Sequence, residues 1–421
     1  MKSIFFSFCI AFILFVTYSC TTNIPQNSTI YVIPVYGQSL ALGEEATLIT
    51  DLDSLKSTYK HRIRTELLDE EFGYFSNTLF KQKIKRIFRD KRRFFEVSCY
   101  GLGEYLAERF NDTIYICTFP AGQGDTEIEG LSRGSAAYEK LIAQIKNIQE
   151  IAKKKHYTII IPAFCWHQGE NDLVWNTPIN YKEKLKSFRL DLEKDINNIL
   201  KQERDLTCIL YQTNCLTLAK DSFDMNAYAC PQIKVPMAQM ELIKEDCLFM
   251  ACSPVYPYDV VREYVHIDGI GQKRLGYMEG VAIEHLLNQK EYNGLTPDSL
   301  AINGDTIVIS FNIPYPPLKL DTIMIHKAEN YGFSVISPNN KNILKNCLLK
   351  DNQVYLLCDT CPSNAKVRYA ANGKHGKSGR RNGSRGNLRD SQGDSLTCKI
   401  RNKTYPMHNW CYMFEMTCNH Y

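Results

Sequence analysis

From Thr29 onward the chain alternates between two hydrophobic periods. Short Val-, Ile- and Tyr-rich runs of strand type are separated by longer stretches with helical spacing. That order predicts an α/β fold, a parallel sheet with helices on both faces. Strands are expected over 29–36, 113–119, 157–166 and 207–213, and helices over 101–110, 135–154, 180–201 and 271–288. The stretch from Leu216 to Tyr258 has no clear period and is expected to be irregular, with parts forming a substrate-facing wall. Asp51 to Arg93 interrupts the pattern as a charge-rich insertion. It ends in a basic run, 81–93, whose interleaved apolar residues fit a solvated helix face over the core.

The pattern changes near residue 292, where Asn293-Gly294-Leu295-Thr296-Pro297 reads as a linker. Short strands then recur over 306–312, 321–326, 352–358 and 365–371, with Pro, Asn and Gly between them. This predicts a smaller C-terminal β-rich, sandwich-like domain over 297–421, following a first domain over 21–290. A Gly- and Arg-rich segment, 373–390, reads as a long flexible loop. The sharper alternative is a loop that reaches back to the rim of a site and offers Arg380 or Arg385 to an acidic sugar.

The first 20 residues stand outside the fold. Met1-Lys2-Ser3 is a short positive leader and Ile4 to Val16 an apolar run too short to span a bilayer comfortably. The following Thr17-Tyr18-Ser19-Cys20 resembles a bacterial lipoprotein signal with Cys20 lipidated, which implies an exported cell-envelope protein held to the membrane by a lipid anchor. Thr17 departs from the usual aliphatic residue there, so simple cleavage and secretion is the alternative. A net charge of +4 over 421 residues gives no reason to expect a nucleic-acid partner. Of 16 cysteines, those in buried strand runs (Cys117, Cys165, Cys208) read as small apolar side chains. Cys358 and Cys361 form a C-x-x-C without a second ligand pair at zinc spacing, so free thiols or one or two disulfides are expected in place of a metal.

Candidate chemistry gathers in three distant segments. Gly37-Gln38-Ser39 follows the first strand directly, a position that exposes a serine hydroxyl above a sheet, although such serines also serve as helix N-caps. Trp166-His167-Gln168-Gly169-Glu170-Asn171-Asp172 ends the third strand, where open α/β sheets bind ligands. In Glu263-Tyr264-Val265-His266, a carboxylate three residues before a histidine can orient the imidazole within one turn; Asp259 and Asp268 are possible substitutes.

Taken in order, these segments resemble the SGNH (GDSL-like) hydrolases, in particular the sialate O-acetylesterase and acetyl-xylan esterase branch. That branch has a GQS motif, a GGTSI-like second block, a W-x-QGE-x-D third block and a D-x-x-H motif followed by glycines. The second block here is Gly124-Asp125-Thr126-Glu127-Ile128, and the likeness spans roughly residues 29 to 288. The resemblance implies a flavodoxin-like three-layer sandwich and an esterase that removes acetyl groups from carbohydrate without metal or organic cofactor. It implies Ser39 as nucleophile, His266 as general base and Glu263 as its acid partner. Ser39, Gly124 and Gln168 would form the oxyanion hole, with Glu170 and Asp172 bracing the Gln168 loop. Two departures stand out. Glu263 replaces the usual aspartate, and Asp125 replaces the second glycine, which leaves Gly122 as a fallback donor and Glu170 as another acid candidate. The sugar is open between sialic acid and other glycans. The rival reading is a non-catalytic carbohydrate-binding surface lipoprotein on an esterase-like scaffold.

Overall fold

The computed structural model describes residues 27–51, 95–110, 114–175, 180–214, 233–360 and 362–418. The leader with Cys20, and the insertion apart from its first residue Asp51, therefore lie outside the described residues. The central sheet contains β1 (Thr29–Gly37), β2 (Tyr115–Gly122), β3 (Thr158–Ile160), β4 (Ala163–His167), β5 (Thr207–Gln212) and β6 (Phe249–Pro254). All of its pairings are parallel, in the order β2-β1-β4-β5-β6, with β3 also on β1. β3 and β4 occupy one position in the sheet, so the order is that of flavodoxin-like folds, with β1 at the point where the winding reverses.

The helices of this half are α1 (Ser98–Arg109), α2 (Ile128–Leu131), α3 (Ala136–Lys155), α4 (Glu170–Trp175), α5 (Tyr181–Leu200), α6 (Lys234–Glu245) and α7 (Gly269–Leu287). The period of two along each strand sorts the core into two layers. Ile30, Val32 and Tyr36 of β1 share one layer with Phe164 and Trp166 and with the apolar faces of α3, α5 and α6. Ile33 and Val35 share the other with Ala163, Cys165, α1 and α7. In the first layer Phe188 of α5 stacks on Tyr36 at 5.5 Å and packs at 4.6 Å on Trp166, fixing the ends of β1 and β4 together. Removing that ring would cost about 3–5 kcal/mol. On the other face α7 approaches α1 closely because position 276 is glycine: a Cβ there would stand 1.9 Å from the Ser98 carbonyl oxygen.

The expected strand over 157–166 is divided in two. At the break the Gln202 side chain bonds both the Ile161 N–H and its carbonyl, each at 3.0 Å, in place of a strand partner. The stretch from Leu216 to Tyr258 holds regular structure that its pattern hides. β6 is buried along its whole length, so it has no alternation to read. Pro236 falls in the first turn of α6, where a missing N–H costs no helical bond.

Beyond α7 the chain is β-rich. Thr296–Asn303, Thr306–Asn312, Gln353–Cys358 and Leu344–Lys350 form one antiparallel sheet; Phe333–Ile336, Lys366–Tyr369 and Phe414–Thr417 form another. Phe311 of the first meets Phe414 of the second edge to face at 6.2 Å. The expected strand over 321–326 is a turn, because the Asp321 carboxylate accepts the N–H groups of Ile323 and Met324. The expected linker is not a loose joint: Leu295 is fully buried, and Thr296 already begins a strand. Gln212 at the end of β5 donates to the Met413 carbonyl, and the Tyr256 hydroxyl to that of Cys411. Among the described residues Cys99, Cys165, Cys208, Cys247, Cys252, Cys347, Cys398 and Cys411 are free thiols.

Candidate active site

β1 delivers Ser39. After Gly37 the chain turns back on itself: the Gln38 N–H donates to the His167 carbonyl at 2.9 Å, and the Ser39 carbonyl accepts from Leu42 and Glu44. The turn therefore hangs on the end of β4 and is closed by its own backbone. The Ser39 hydroxyl lies 2.8 Å from Nε2 of His266, which comes from the loop between β6 and α7. The two residues are 227 apart in sequence.

The carboxylate at the other ring nitrogen is that of Glu45. Its Oε2 stands 2.8 Å from His266 Nδ1. Glu45 closes the nucleophile turn with φ of 61°, in the left-handed region, and this aims its side chain across the turn at the imidazole. The expectation for Glu263 fails in the geometry. Arg262 and Glu263 both adopt left-handed backbone, φ 55° and 56°, so the main chain leaves the single helical turn that would bring Glu263 back to His266. Its carboxylate instead accepts from Asn382 at 2.7 Å and faces Lys377 at 3.3 Å; that hydrogen bond, with Lys377, holds it below the usual carboxylate range. Neither substitute meets the histidine. Asp268 caps α7 by accepting the Gly271 N–H, and Asp259 pairs with Arg380 and Arg381. The signal for Glu45 was present as an acidic pair, Glu44-Glu45, in the same turn as the serine.

Glu44 also enters the site. One of its oxygens is 4.0 Å from His266 Nε2. The other lies so close to Gly124 that a Cβ on that glycine would be 2.5 Å away. Gly124 is thus placed beside the Ser39–His266 pair. Gly122 lies deeper, its would-be Cβ only 1.8 Å from the Gly37 carbonyl oxygen.

Gln168 is buried at the end of β4, and its amide is committed. Nε2 donates to the Asp172 carboxylate and, at 3.3 Å, to the Thr126 carbonyl, while Oε1 accepts from the Tyr181 hydroxyl at 2.9 Å. This differs from an oxyanion donor, which needs an N–H aimed into the site. Gly169, φ 144°, makes the turn between Gln168 and α4 that such an arrangement requires. Asp172 also accepts the Ile128 N–H, so it ties the second block to the third. Burial pushes its carboxyl up to about 6, against the opposing hydrogen bonds from Gln168 and Ile128. Glu170 is buried against the Tyr211 hydroxyl at 2.6 Å and away from His266; burial raises its pKa.

Residues 88–247 match the family model described as carbohydrate esterase, sialic acid-specific acetylesterase. That match covers 160 of the 421 residues, so this part of the chain is similar to that family. Among solved structures, a carbohydrate acetylesterase from Xanthomonas citri is 13% identical, with a TM-score of 0.49, over 75% of this chain and 65% of that one. The chain thus spans just under two thirds of that enzyme's length. A protein from Arabidopsis thaliana is 17% identical, TM-score 0.41, over 63% of this chain and 99% of its own. NanS is 12% identical, TM-score 0.39, over 63% and 99%. No curated protein matches the sequence. The sequence blocks that carry Ser39, Gly124, Gln168 and His266 lie together at the C-terminal edge of the sheet, with Glu45 added and Glu263 set aside.

Proposed function

We propose that the protein is a serine carbohydrate acetylesterase acting through an acetyl-enzyme. The observation that carries this reading is the unbroken chain Glu45–His266–Ser39, two contacts of 2.8 Å at the C-terminal edge of the sheet. Glu45 at Nδ1 fixes the tautomer that leaves Nε2 as acceptor. His266 takes the Ser39 proton as Oγ attacks the acetyl carbonyl carbon. The oxyanion that forms is met by the backbone N–H groups of Ser39 and Gly124; losing one such donor typically costs ~3–4 kcal/mol of barrier. The imidazolium returns its proton to the sugar oxygen as the ester C–O bond breaks. Water, deprotonated by His266, then attacks the acetyl carbonyl, releasing acetate and restoring Ser39. Gln168, Glu170 and Asp172 hold the walls of this site.

The substrate in this reading is an O-acetylated sugar. Glu44 and Glu45 place carboxylates at the imidazole, which favours a neutral ring over an anionic one such as sialate. Assay of the purified chain without residues 1–20 against a chromogenic acetyl ester, acetylated xylan and O-acetylated sialate tests both claims. Acetate release from the xylan in excess of the sialate supports them, and absence of release from every ester refutes the esterase reading. We also propose export and anchoring through lipidated Cys20, on the strength of the leader sequence. Loss of membrane association in a Cys20→Ser variant is the expected result.

A further inference from the structure

His266 is carried by a loop that its own sheet does not hold. From Asp259 to Asp268 the two arms run antiparallel: the Asp268 N–H donates to the Asp259 carbonyl at 2.9 Å and the Val261 N–H to the His266 carbonyl at 2.7 Å. At the tip, Arg262 and Glu263 lie in the left-handed region and Tyr264 at φ −104°, ψ −99°. Non-glycine residues adopt such backbone only where surrounding contacts impose it.

Those contacts come from the Gly- and Arg-rich segment, more than 100 residues downstream. The segment is ordered into a short helix, Gly379–Asn382, against the loop. Arg380 Nη2 and Arg381 Nε grip the two oxygens of Asp259 at 2.9 and 3.0 Å. Burial opposes ionisation of Asp259, yet hydrogen bonds and charge from Arg380 and then Arg381 keep its carboxyl below the usual range. Asn382 and Lys377 take the two oxygens of Glu263, and the Ser378 N–H donates to the Glu263 carbonyl at 2.9 Å. Two ends of one loop are thus fixed by one segment. That segment is tied to the rest of the molecule in turn: Arg380 Nη1 donates to the Met324 carbonyl at 2.7 Å, and Asn214, beyond β5, to the Ser384 carbonyl at 2.7 Å. Its arginines are not offered to a sugar. Arg385 bonds the carbonyls of His326, Lys327 and Gly383.

We propose that Lys377–Asn382 is a positioning element for the general base: by holding Asp259 and Glu263 it keeps the His266 ring between Glu45 and Ser39. This rests on the reading of Ser39 and His266 as nucleophile and base. The segment meets the loop at Asp259 and Glu263, so its effect on the ring passes through the loop. Among the described residues, the charged groups facing the ring are Glu45 and Glu44, both from the nucleophile turn. Loosening the loop moves the ring out of line with Glu45 and Ser39, which slows proton transfer without touching the substrate.

The test uses the full chain with Arg381→Ala and Asn382→Ala, singly and together, and Arg381→Lys as the conservative variant. Turnover of 4-nitrophenyl acetate is followed over about pH 5 to 9, with circular dichroism to measure folding. The double variant is expected to lose about tenfold to a hundredfold in kcat, the range of a small misplacement, with KM within about twofold. Arg381→Lys should recover most of the loss. If the double variant does not fold, the single Asn382→Ala variant carries the same prediction at smaller size. Wild-type kcat in the folded variants would overturn the proposal, as would a loss that tracks the unfolded fraction alone or a rise in KM that accounts for it. The Ser39→Ala variant separates this from failure of the esterase reading: activity surviving Ser39→Ala would refute that reading, whereas loss in Ser39→Ala with wild-type kcat in the folded support variants would refute this one.

Discussion

The two loops that meet at the site are built in opposite ways. The nucleophile turn, 37–45, is assembled from its own backbone and from the carbonyl of His167 on the adjoining strand. It brings two of the three reacting groups, Ser39 and Glu45, within seven residues. The histidine loop brings one, and its tip takes its support from residues 377–382 of the C-terminal region. The first loop is a consequence of the sheet; the second is imposed on it from outside. A substitution in the turn should therefore act on chemistry directly, whereas one in the loop's supports should act through alignment.

The sharpest form of that comparison is the nucleophile itself. Ser39→Ala is expected to remove acetyl-ester turnover to within the background of the oxyanion donors, with the melting temperature unchanged, since the hydroxyl bonds His266 and no core group. Next comes the pair of glutamates. Glu45→Gln should lower kcat by roughly a hundredfold or more, because the imidazole loses the partner that sets its tautomer. The side chain is partly exposed, so the loss is expected to be smaller than for a buried acid. Glu263→Gln should cost under about tenfold, since a glutamine still accepts from Asn382. Equal losses in the two variants would erase the distinction between the loops.

How much of this is legible in the sequence follows the same division. Ser39, Gln168 and His266 each stand at the end of a readable element, a strand or the start of a helix, so their placement is local. Glu45 lies 221 residues from the histidine it meets, and no spacing rule reaches that far. Glu263 misled because i to i−3 implies a turn, and two left-handed residues undo the turn. The role of Gln168 shifted for a similar reason. Asp172, four residues on, and Thr126, from the second block, take its N–H groups, while the Tyr181 hydroxyl of a third segment donates to its Oε1. The Gly- and Arg-rich segment looked flexible by composition, but ion pairs with Asp259 and Glu263 order it.

Two buried groups extend the comparison to stability, with opposite signs. The Asp172 carboxyl is raised to about 6 by burial, so the folded state favours its protonated form. That contribution is complete below the unfolded value near 4 and is lost as pH rises through 6. Asp172→Asn should therefore gain roughly 2–3 kcal/mol relative to wild type between pH 4 and 7, measured by urea unfolding. In the C-terminal region, burial and then the charge of Arg389 lower His408 to about 4. Its contribution is present above the unfolded value near 6.5 and fades as pH falls through 4. His408→Gln should flatten that acid-side loss by roughly 2–3 kcal/mol, an effect of similar size. Acid sensitivity unchanged by the substitution would assign it to other groups.

The central claim is that Ser39, activated by His266 and Glu45, carries the acetyl group. Its most direct test is mass spectrometry of the protein quenched during turnover of an activated acetyl ester. The account predicts an acetyl group on the peptide containing Ser39 in the wild-type chain, and none on that peptide in Ser39→Ala. Turnover without a covalent acetyl at Ser39, or with the acetyl on another residue, would contradict it.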